Sequence, residues 1–252
     1  MASKKKIAIS THKGGTGKTA TTLSLAGGLS RHGRCLVVDL DPQGNATVGL
    51  GYRRRGDEPT LVDFFSQYPG FPFERVIHPT ANPNLFVAPA ILKMAWTAEG
   101  LSGLPKKEHL LSRALRSVED KFDWIVMDAP SNLGVMTQNA VVAADIILMP
   151  AMYEADSGDA IADLLELVHL MRGSSFDQYR IIVTRVDSRK TRTNDAMRHV
   201  LDRWGDKLLS TTIPQNEAMN QAKMAQQDIF TFDPTSKAAV AYGELVSEFL
   251  RL

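Results

Sequence analysis

The sequence is poor in cysteine and contains no long hydrophobic run. Its one cysteine, Cys35, excludes a disulfide within the chain and leaves no cysteine pair for a metal cluster. Cys35 lies in the apolar run Cys-Leu-Val-Val, which favours a buried, unreactive thiol. No segment approaches the ~18 apolar residues of a membrane span, and the apolar segment near the N-terminus is too short for the core of a signal peptide. We therefore expect a cytoplasmic protein that does not bind membranes.

An excess of charge of one sign is also missing. The 29 lysines and arginines nearly balance the 28 aspartates and glutamates, which leaves a net charge of +1. A uniformly basic surface is excluded, so any contact with nucleic acid must come from a local cluster. The chain has 252 residues, of which 44% are hydrophobic, and it contains no Gly/Ser-rich or Pro-rich linker. These properties predict a single domain spanning residues 1–252.

Short apolar segments alternate with longer helical patterns along the chain. We expect strands at Lys6–Ser10, Cys35–Asp39, Asn84–Pro89, Trp124–Asp128, Ile146–Pro150, Arg180–Thr184 and Leu208–Ile213. We expect helices at Lys18–His32, Lys106–Asp120, Gln138–Ala144, Gly158–Met171, Thr193–Trp204, Glu217–Gln226 and Thr235–Leu250. The alternation predicts an α/β fold of three layers, with a mostly parallel twisted sheet flanked by helices on both faces. Only Gly51–Pro83, rich in proline, glycine and aromatic residues, is left without an assignment.

A glycine-rich loop follows the first predicted strand and opens the first predicted helix. Residues 13–19 are Lys-Gly-Gly-Thr-Gly-Lys-Thr, a variant of the loop that binds nucleotide phosphates, in the order of strand, loop and helix that this chemistry requires. Glycines let backbone N–H groups turn toward phosphate oxygens, and a helix N-terminus favours negative charge. Lys18 is expected to bind the β and γ phosphates, and the Thr19 hydroxyl to ligate Mg²⁺. A glycine-rich turn with a chance lysine is the alternative, and it leaves the flanking strand and helix unexplained.

Three aspartates lie at or just beyond the ends of two predicted strands. Asp39 and Asp41 follow one apolar strand, and Asp128 ends another. Ligands of open α/β sheets bind at this edge. Asp128 is expected to hold Mg²⁺ through water, and Asp41 to orient or deprotonate the attacking water. For Asp39 we favour a role in helix capping or turn formation.

Three segments together resemble the ParA/MinD superfamily of deviant Walker A ATPases: KGGTGKT at 13–19, DLDPQGNAT at 39–47 and MDAPSNLG at 127–134. The segments IPQNEAMNQAK at 213–223 and FDPTSKAAVAYGEL at 232–245 resemble the ParA branch, whose Soj-like members lack an N-terminal helix-turn-helix. The resemblance covers most of the chain and is weakest between Arg53 and Lys106. It implies a P-loop NTPase fold and a weakly active ATPase with ATP and Mg²⁺ as cofactors.

The resemblance also implies roles for individual residues. Lys13 would reach across an ATP-dependent sandwich dimer to the phosphates of the partner subunit. Asp41 would promote hydrolysis, Gly44 and Asn45 would belong to a switch that senses the γ-phosphate, and the stretch from Thr184 would help to enclose the adenine. The implied catalytic residues are Lys13, Lys18 and Asp41. The implied nucleotide-binding residues are Lys13, Gly14, Gly15, Thr16, Gly17, Lys18, Thr19, Ala20, Asp187 and Pro214, and the implied metal-binding residues are Thr19, Asp41 and Asp128.

The chain departs from the usual pattern of this superfamily at a few positions. Thr16 stands where valine is usual, Ser131 and Asn132 replace the usual Pro-Ser, and Gln215 replaces a frequent arginine. None of these changes removes a phosphate or metal ligand. We therefore expect ATP binding to be retained, while turnover, dimer lifetime or partner contacts can differ.

A local cluster of basic residues is a candidate DNA-binding surface. Between Arg185 and Lys207 there are seven lysines and arginines against four aspartates. Such a cluster can bind backbone phosphates without sequence preference, although a solvated helical face with i,i+4 pairs explains it about equally well. The resemblance favours DNA, with Arg189, Lys190, Arg192, Arg198 and Lys223 as candidate contacts. A second cluster, Arg53–Arg55, can serve DNA or a partner, or belong to an exposed loop.

Three other functions were weighed against this interpretation. A MinD-like membrane cycle would need a basic amphipathic helix at the C-terminus, whereas this chain ends just after its last predicted helix. An iron–sulfur carrier would need cysteines that bridge a cluster. A metabolic P-loop enzyme, such as a small kinase or an amide-forming synthetase, stays open because fold alone does not fix function.

The favoured hypothesis is a nucleoid-associated ParA-type ATPase that positions a plasmid, a chromosome region or a protein cargo. The expected partners are a second copy with ATP, non-specific DNA, and a ParB-like or cargo-linked adaptor that stimulates hydrolysis. No operator binding is expected, because no helix-turn-helix precedes the phosphate loop.

Overall fold

In the computed structural model, which describes residues 5–251, eight strands form one sheet in the order β3-β4-β2-β5-β1-β6-β7-β8. The strands are β1 (Lys5–Ile9), β2 (Cys35–Asp39), β3 (His78–Pro79), β4 (Leu85–Ala88), β5 (Trp124–Asp128), β6 (Ile146–Ala151), β7 (Tyr179–Val186) and β8 (Leu208–Pro214). Neighbouring strands pair in parallel, except that β3 and β4 are antiparallel. The predicted mostly parallel sheet is thereby confirmed, and each predicted strand lies within one or two residues of its observed bounds.

Helices cover both faces of the sheet. They are α1 (Lys18–Leu29), α2 (Asn45–Gly49), α3 (Leu61–Ser66), α4 (Met94–Gly100), α5 (Leu110–Leu115), α6 (Val135–Ala143), α7 (Ser157–Arg172), α8 (Thr191–Leu201), α9 (Glu217–Met224), α10 (Ile229–Phe232) and α11 (Lys237–Arg251). Short 3₁₀ helices cover Phe73–Val76, Leu101–Gly103, Lys107–His109, Glu119–Lys121 and Asp202–Lys207. Most of the predicted helices are present with shifted ends.

The core consists of two layers, one on each face of the sheet. Successive side chains of a strand point to opposite faces, so Ile7 and Ile9 of β1 pack in one layer and Ala8 packs in the other. The first layer contains buried residues of α1 and α11, such as Leu25 and Leu245. The second contains buried residues of α5, α6 and α7. Because both faces are covered, the central strands are apolar over most of their length.

The predicted continuous helix Lys106–Asp120 is wrong. Lys106, the first residue of the predicted helix, has a left-handed backbone with φ of 56°. Within the segment, His109 has φ of −100° with ψ of 0°, and Val118 has φ of −129°, both outside the α-helical region. The segment is therefore divided into a 3₁₀ helix, the short α5 and a second 3₁₀ helix. Its apolar spacing reflects packing of α5 against α6 rather than one long helix.

The unassigned segment Gly51–Pro83 contains α3 and the two-residue strand β3. α3 begins with a capping box, in which the Thr60 amide donates to Asp63 Oδ2 at 2.7 Å. Phe64 and Phe65 of this helix are almost fully buried. The aromatic residues that obscured the sequence pattern are core residues here.

Candidate active site

The carboxyl ends of three neighbouring strands meet at one edge of the sheet. β2, β5 and β1 are adjacent in that order, and the register places Asp128 opposite both Ile9 and Asp39. The loops that leave these strands therefore converge, as is general for ligand sites of open α/β sheets. The predicted phosphate loop and the predicted acidic residues are brought together at this edge.

The loop between β1 and α1 takes backbone conformations that glycine adopts most readily. Gly15 and Gly17 have φ values of 77° and 83°, in the left-handed region where a side chain is strained. Gly17 is the N-cap residue of α1 and has no side chain that could accept hydrogen bonds from the first amides of the helix. Those amides are therefore donors for a ligand, and a phosphate is the group that they and the helix dipole favour.

Two side chains at the end of β7 hold this loop in place. The Thr184 hydroxyl donates to the Thr16 carbonyl oxygen at 2.6 Å, and Arg185 Nη1 donates to the Gly15 carbonyl oxygen at 2.8 Å. These two contacts occupy the carbonyl oxygens of Gly15 and Thr16 and fix the backbone of the loop relative to β7. The resemblance places the stretch from Thr184 near the adenine, whereas the contacts of Thr184 and Arg185 with the phosphate loop were not predicted.

Lys18 lies largely buried within the loop, with only 7% of its surface exposed. Its Nζ donates to the Lys13 carbonyl oxygen at 3.1 Å and to Ser131 Oγ at 2.5 Å. Burial lowers the pKa of Lys18 below its ordinary value, against the opposing negative charges of Asp128 and Asp41. Ser131, which the sequence analysis noted only as a departure from the family pattern, therefore contacts the phosphate-binding lysine directly.

Asp128 is fully buried and accepts hydrogen bonds from two threonines of α1. Thr19 Oγ1 donates to Oδ2 at 2.8 Å, and Thr22 Oγ1 donates to Oδ1 at 2.9 Å. Burial raises the pKa of Asp128, although both threonine hydrogen bonds oppose that shift. Two of the three predicted metal-binding residues, Thr19 and Asp128, are thus in direct contact, whereas Thr22 was not predicted.

The two aspartates after β2 occupy different environments. Asp41 is partly exposed on the wall of a cavity, and its Oδ1 accepts the Gln43 amide at 2.9 Å. Asp39 is fully buried and accepts the amides of Asp41 and Thr47. Burial, with the negative charge of Asp128 nearby, raises the pKa of Asp39. Asp39 therefore caps the segment that leads into α2, and Asp41 is the carboxylate that faces the cavity.

The cavity has a volume of about 420 Å³ and lies between the phosphate loop with α1 and the segment that carries α9. The predicted residues on its wall are Gly15, Gly17, Lys18, Thr19, Ala20, Asp41 and Pro214. Lys13, Gly14 and Thr16 belong to the same loop. Asp187 lies beyond this wall, where it accepts hydrogen bonds from Arg189 at 2.9 and 2.8 Å.

Lys13 has different neighbours from Lys18. Its ammonium donates hydrogen bonds to Glu154 and Asp156, in the turn between β6 and α7. Partial burial alone would lower the pKa of Lys13, but the hydrogen bonds to Asp156 and Glu154 outweigh it and raise the pKa. Neither acidic residue was predicted from the sequence, because both lie far from the loop along the chain.

The candidate DNA contacts fall into two groups. Lys190, Arg192 and Arg198 are exposed on or beside α8, a helix whose one buried residue is Leu201. Arg189 is exposed as well, but its guanidinium is paired with Asp187. Lys223 is not part of this surface, because it lies on the cavity wall and its Nζ donates to Asn45 Oδ1 at 3.1 Å.

The donor atoms at this site suit magnesium bound together with a triphosphate. Hydroxyl and carboxylate oxygens of Thr19, Asp128 and Asp41 are the kind of ligand that Mg²⁺ prefers. Within residues 5–251, no group of three or more His, Cys, Asp or Glu side chains could hold a metal ion. Phosphate oxygens would therefore have to complete the coordination of the metal. Over the same residues, no helix is long and apolar enough to cross a membrane.

The glycine-rich loop, the buried Lys18 and the contact between Thr19 and Asp128 define a P-loop nucleoside triphosphatase. Comparison with known proteins agrees. The profile of a family described as AAA domain matches residues 4–181. The chain is 33% identical over 246 residues to the sporulation initiation inhibitor protein Soj of Bacillus subtilis, which covers 96% of each chain.

Two further comparisons cover nearly the whole chain. The chain is 34% identical over 250 residues to the chromosome-partitioning ATPase Soj of Thermus thermophilus, covering 98% of this chain and 95% of that protein. A solved structure of apo McdA from Cyanothece aligns with a TM-score of 0.87 over 98% of this chain and 99% of the other, at 22% identity, which shows a shared fold. The chain belongs to the ParA/MinD superfamily and is an ATPase, which confirms the resemblance inferred from the sequence.

Proposed function

We propose that this chain is a ParA-type positioning ATPase. ATP closes a sandwich dimer, the dimer binds DNA without sequence preference, and hydrolysis stimulated by a partner releases it. The observation that carries the proposal is the different placement of two lysines of one loop. Lys18 is buried against Ser131 on the cavity wall, whereas Lys13 binds acidic residues outside that wall. A lysine in that position can serve the phosphates of a second subunit, where it would stabilise developing charge.

The chain supplies the remaining parts of a hydrolytic site. The loop amides and Lys18 bind the phosphates, and Asp41, on the wall of the same cavity, orients or deprotonates the attacking water. Thr19 and Asp128, with Asp41, would hold Mg²⁺, which neutralises phosphate charge when it is bound. Asn45 lies on the same wall as Asp41 and begins α2, so this segment can respond to the presence of the γ-phosphate.

DNA binding is assigned to the exposed cations of α8 and its N-terminal turn. Backbone phosphates require only clustered lysines and arginines, and α8 presents them on a helix that buries little of its own surface. The names of the Soj relatives, which include chromosome partitioning, support a role in moving DNA or a cargo along DNA. A ParB-like or cargo-linked adaptor would stimulate hydrolysis, and the protein would be associated with the nucleoid in the cytoplasm.

Sedimentation of the Asp41→Ala variant tests the proposal. With Mg²⁺ and ATP, this variant should be a stable dimer, because the nucleotide binds and is not consumed. With ADP it should be a monomer. Adding Lys13→Ala should remove the dimer while nucleotide binding by each subunit remains. A monomer under all conditions, or a dimer that ignores nucleotide, would contradict the proposal.

A further inference from the structure

The buried carboxylate of Asp39 lies next to the hydrolytic site but is not used by the chemistry described so far. It is fully buried, whereas Asp41, two residues later, faces the cavity. A buried carboxylate is costly unless it accepts several hydrogen bonds. The hydrogen bonds that Asp39 accepts therefore indicate what it is positioned to hold.

Both ends of the segment 41–47 are bound to this one carboxylate. Asp39 Oδ1 accepts the Asp41 amide at 3.2 Å. Oδ2 accepts the Thr47 amide and the Thr47 hydroxyl, each at 2.7 Å. The segment between them contains Asp41 itself and the start of α2. Its position relative to the sheet thus depends on Asp39.

Thr47 connects this segment to a second one. Its Oγ1 donates to Asp39 and accepts the Ala90 amide at 3.1 Å. A second contact lies nearby, since a Cβ on Gly44 would be 3.1 Å from the Ala90 carbonyl oxygen. The chain after Ala90 turns directly into α4, because the Met94 amide donates to the Ile91 carbonyl oxygen at 2.8 Å. The Ala90 amide that Thr47 binds thus lies four residues before the first residue of α4.

We propose that Asp39 and Thr47 are positioning residues: Asp39 fixes Asp41 for hydrolysis, and the Thr47 hydroxyl couples the segment 41–47 to the segment that begins at Ala90. One hydroxyl makes both connections, since it donates to the carboxylate and accepts from the amide. The two segments share this hydroxyl. If the segment 41–47 moves in response to the γ-phosphate, Ala90 must therefore either move with it or lose its hydrogen bond to Thr47. This inference rests on the role of Asp41 under the proposed function.

Two substitutions at one position separate hydrogen bonding from packing. Thr47→Val keeps the shape of the side chain and removes both hydrogen bonds, whereas Thr47→Ser keeps the hydroxyl. Thr47→Val should lower the single-turnover rate of ATP hydrolysis about tenfold or more, since a small displacement of a catalytic group is costly. The dissociation constant for ATP should change by less than about threefold, because the phosphate loop is untouched. Thr47→Ser should retain most of the parental rate.

Asp41→Ala is measured beside them to keep the two claims apart. If Asp41→Ala hydrolyses ATP at the parental rate, the role of Asp41 fails, and the proposed function fails with it. If Asp41→Ala is inactive while Thr47→Val is as fast as the parent, only the present inference is overturned. Equal slowing by Thr47→Val and Thr47→Ser would also overturn it, because packing rather than the hydroxyl would then explain the effect.

Hydrogen exchange of the parental protein provides a test that does not depend on a variant folding. Amide exchange is compared with ADP and with a non-hydrolysable ATP analogue bound. Peptides covering 41–48 and 88–94 should change protection together between the two states. A change confined to 41–48, or none in either peptide, would show that Thr47 does not couple the two segments.

Discussion

The ammonium of Lys13 donates a hydrogen bond to the carboxylate of Asp156 in the same subunit, and Glu154 accepts a second one. A lysine held in this way has to leave its own acidic residues before it can reach the phosphates of a second subunit. Under the proposed function, these two hydrogen bonds would therefore compete with formation of the ATP dimer.

Removing these two carboxylates should strengthen the ATP dimer. In the Glu154→Gln, Asp156→Asn double variant, combined with Asp41→Ala, the dimer dissociation constant should fall about two- to fivefold, a modest change because both acidic side chains are exposed. Sedimentation over a concentration series measures it. Asp159→Asn, an exposed acidic position on α7, is the matched control and should leave the constant unchanged. A weaker dimer in the double variant would mean that the two acids support the closed state instead.

Lys18 should be indispensable for nucleotide binding. Lys18→Ala removes the one side-chain cation buried within the phosphate loop among the described residues, and hydrogen bonds to charged groups are worth about tenfold to a hundredfold each in affinity. Titration calorimetry with Mg²⁺ and ATP should show binding weakened by at least that much, with no measurable turnover. Ser131→Ala removes only the hydroxyl that accepts from Lys18, so its effect should be smaller. If Lys18→Ala bound ATP with unchanged affinity, the phosphates would have to bind at another site.

Asp41 should affect hydrolysis far more than binding, because Thr19, Asp128 and the phosphate oxygens can still hold Mg²⁺ when Asp41 is replaced. Loss of a positioned general base typically lowers a rate about 10²- to 10⁴-fold. Phosphate release by Asp41→Ala should fall into that range while the affinity for ATP stays close to the parental value. Asp57→Ala, an exposed aspartate on the following loop, is the control and should hydrolyse normally. Parental turnover in Asp41→Ala would refute the assignment.

The cations of α8 should contribute to DNA binding through charge alone. Arg192→Glu and Arg198→Glu should weaken the ATP-bound protein on every DNA sequence and should make the logarithmic dependence on salt less steep by about one for each lost phosphate contact. Arg189→Glu should have a smaller effect, because its guanidinium is already paired with Asp187. Lys223→Ala should change nucleotide turnover more than the salt dependence, since Lys223 contacts Asn45 at the cavity. Lys237→Glu, an exposed lysine of α11, is the control for surface charge. If Lys237→Glu lost as much DNA affinity, the net charge of the protein, and not the position of the cations on α8, would determine DNA binding.

Much of the fold could be predicted because the sheet is covered on both faces. Runs such as Ile146–Met149 are apolar throughout, and a run of this kind locates a central strand with little ambiguity. Helix bounds were less certain, because they depend on backbone conformation at single residues. His109 and Val118, whose backbone conformations divide the predicted helix, carry no sequence signal of their own. The capping box at Thr60 and Asp63 was a usable signal for α3, and the surrounding aromatic residues concealed it.

The candidate site also contains parts that could be predicted from the sequence and parts that could not. The phosphate loop and the strand-end aspartates could be predicted, because their chemistry requires particular residues at fixed spacing along the chain. The contacts of Lys18 with Ser131, of Lys13 with Glu154, and of Thr184 with Thr16 join residues more than a hundred positions apart. Only the folded sheet brings such residues together. For the same reason the sequence could not show that Lys223 contacts Asn45 at the cavity.

The most direct test of the account is the affinity of the parental protein for non-specific duplex DNA in three nucleotide states. Fluorescence anisotropy is measured with a non-hydrolysable ATP analogue, with ADP and without nucleotide, each over a salt series. The account predicts tight binding with the ATP analogue alone, weakening steeply as salt rises. Equal affinity in all three states would contradict it, because nucleotide would then have no means of directing the protein onto DNA or off it.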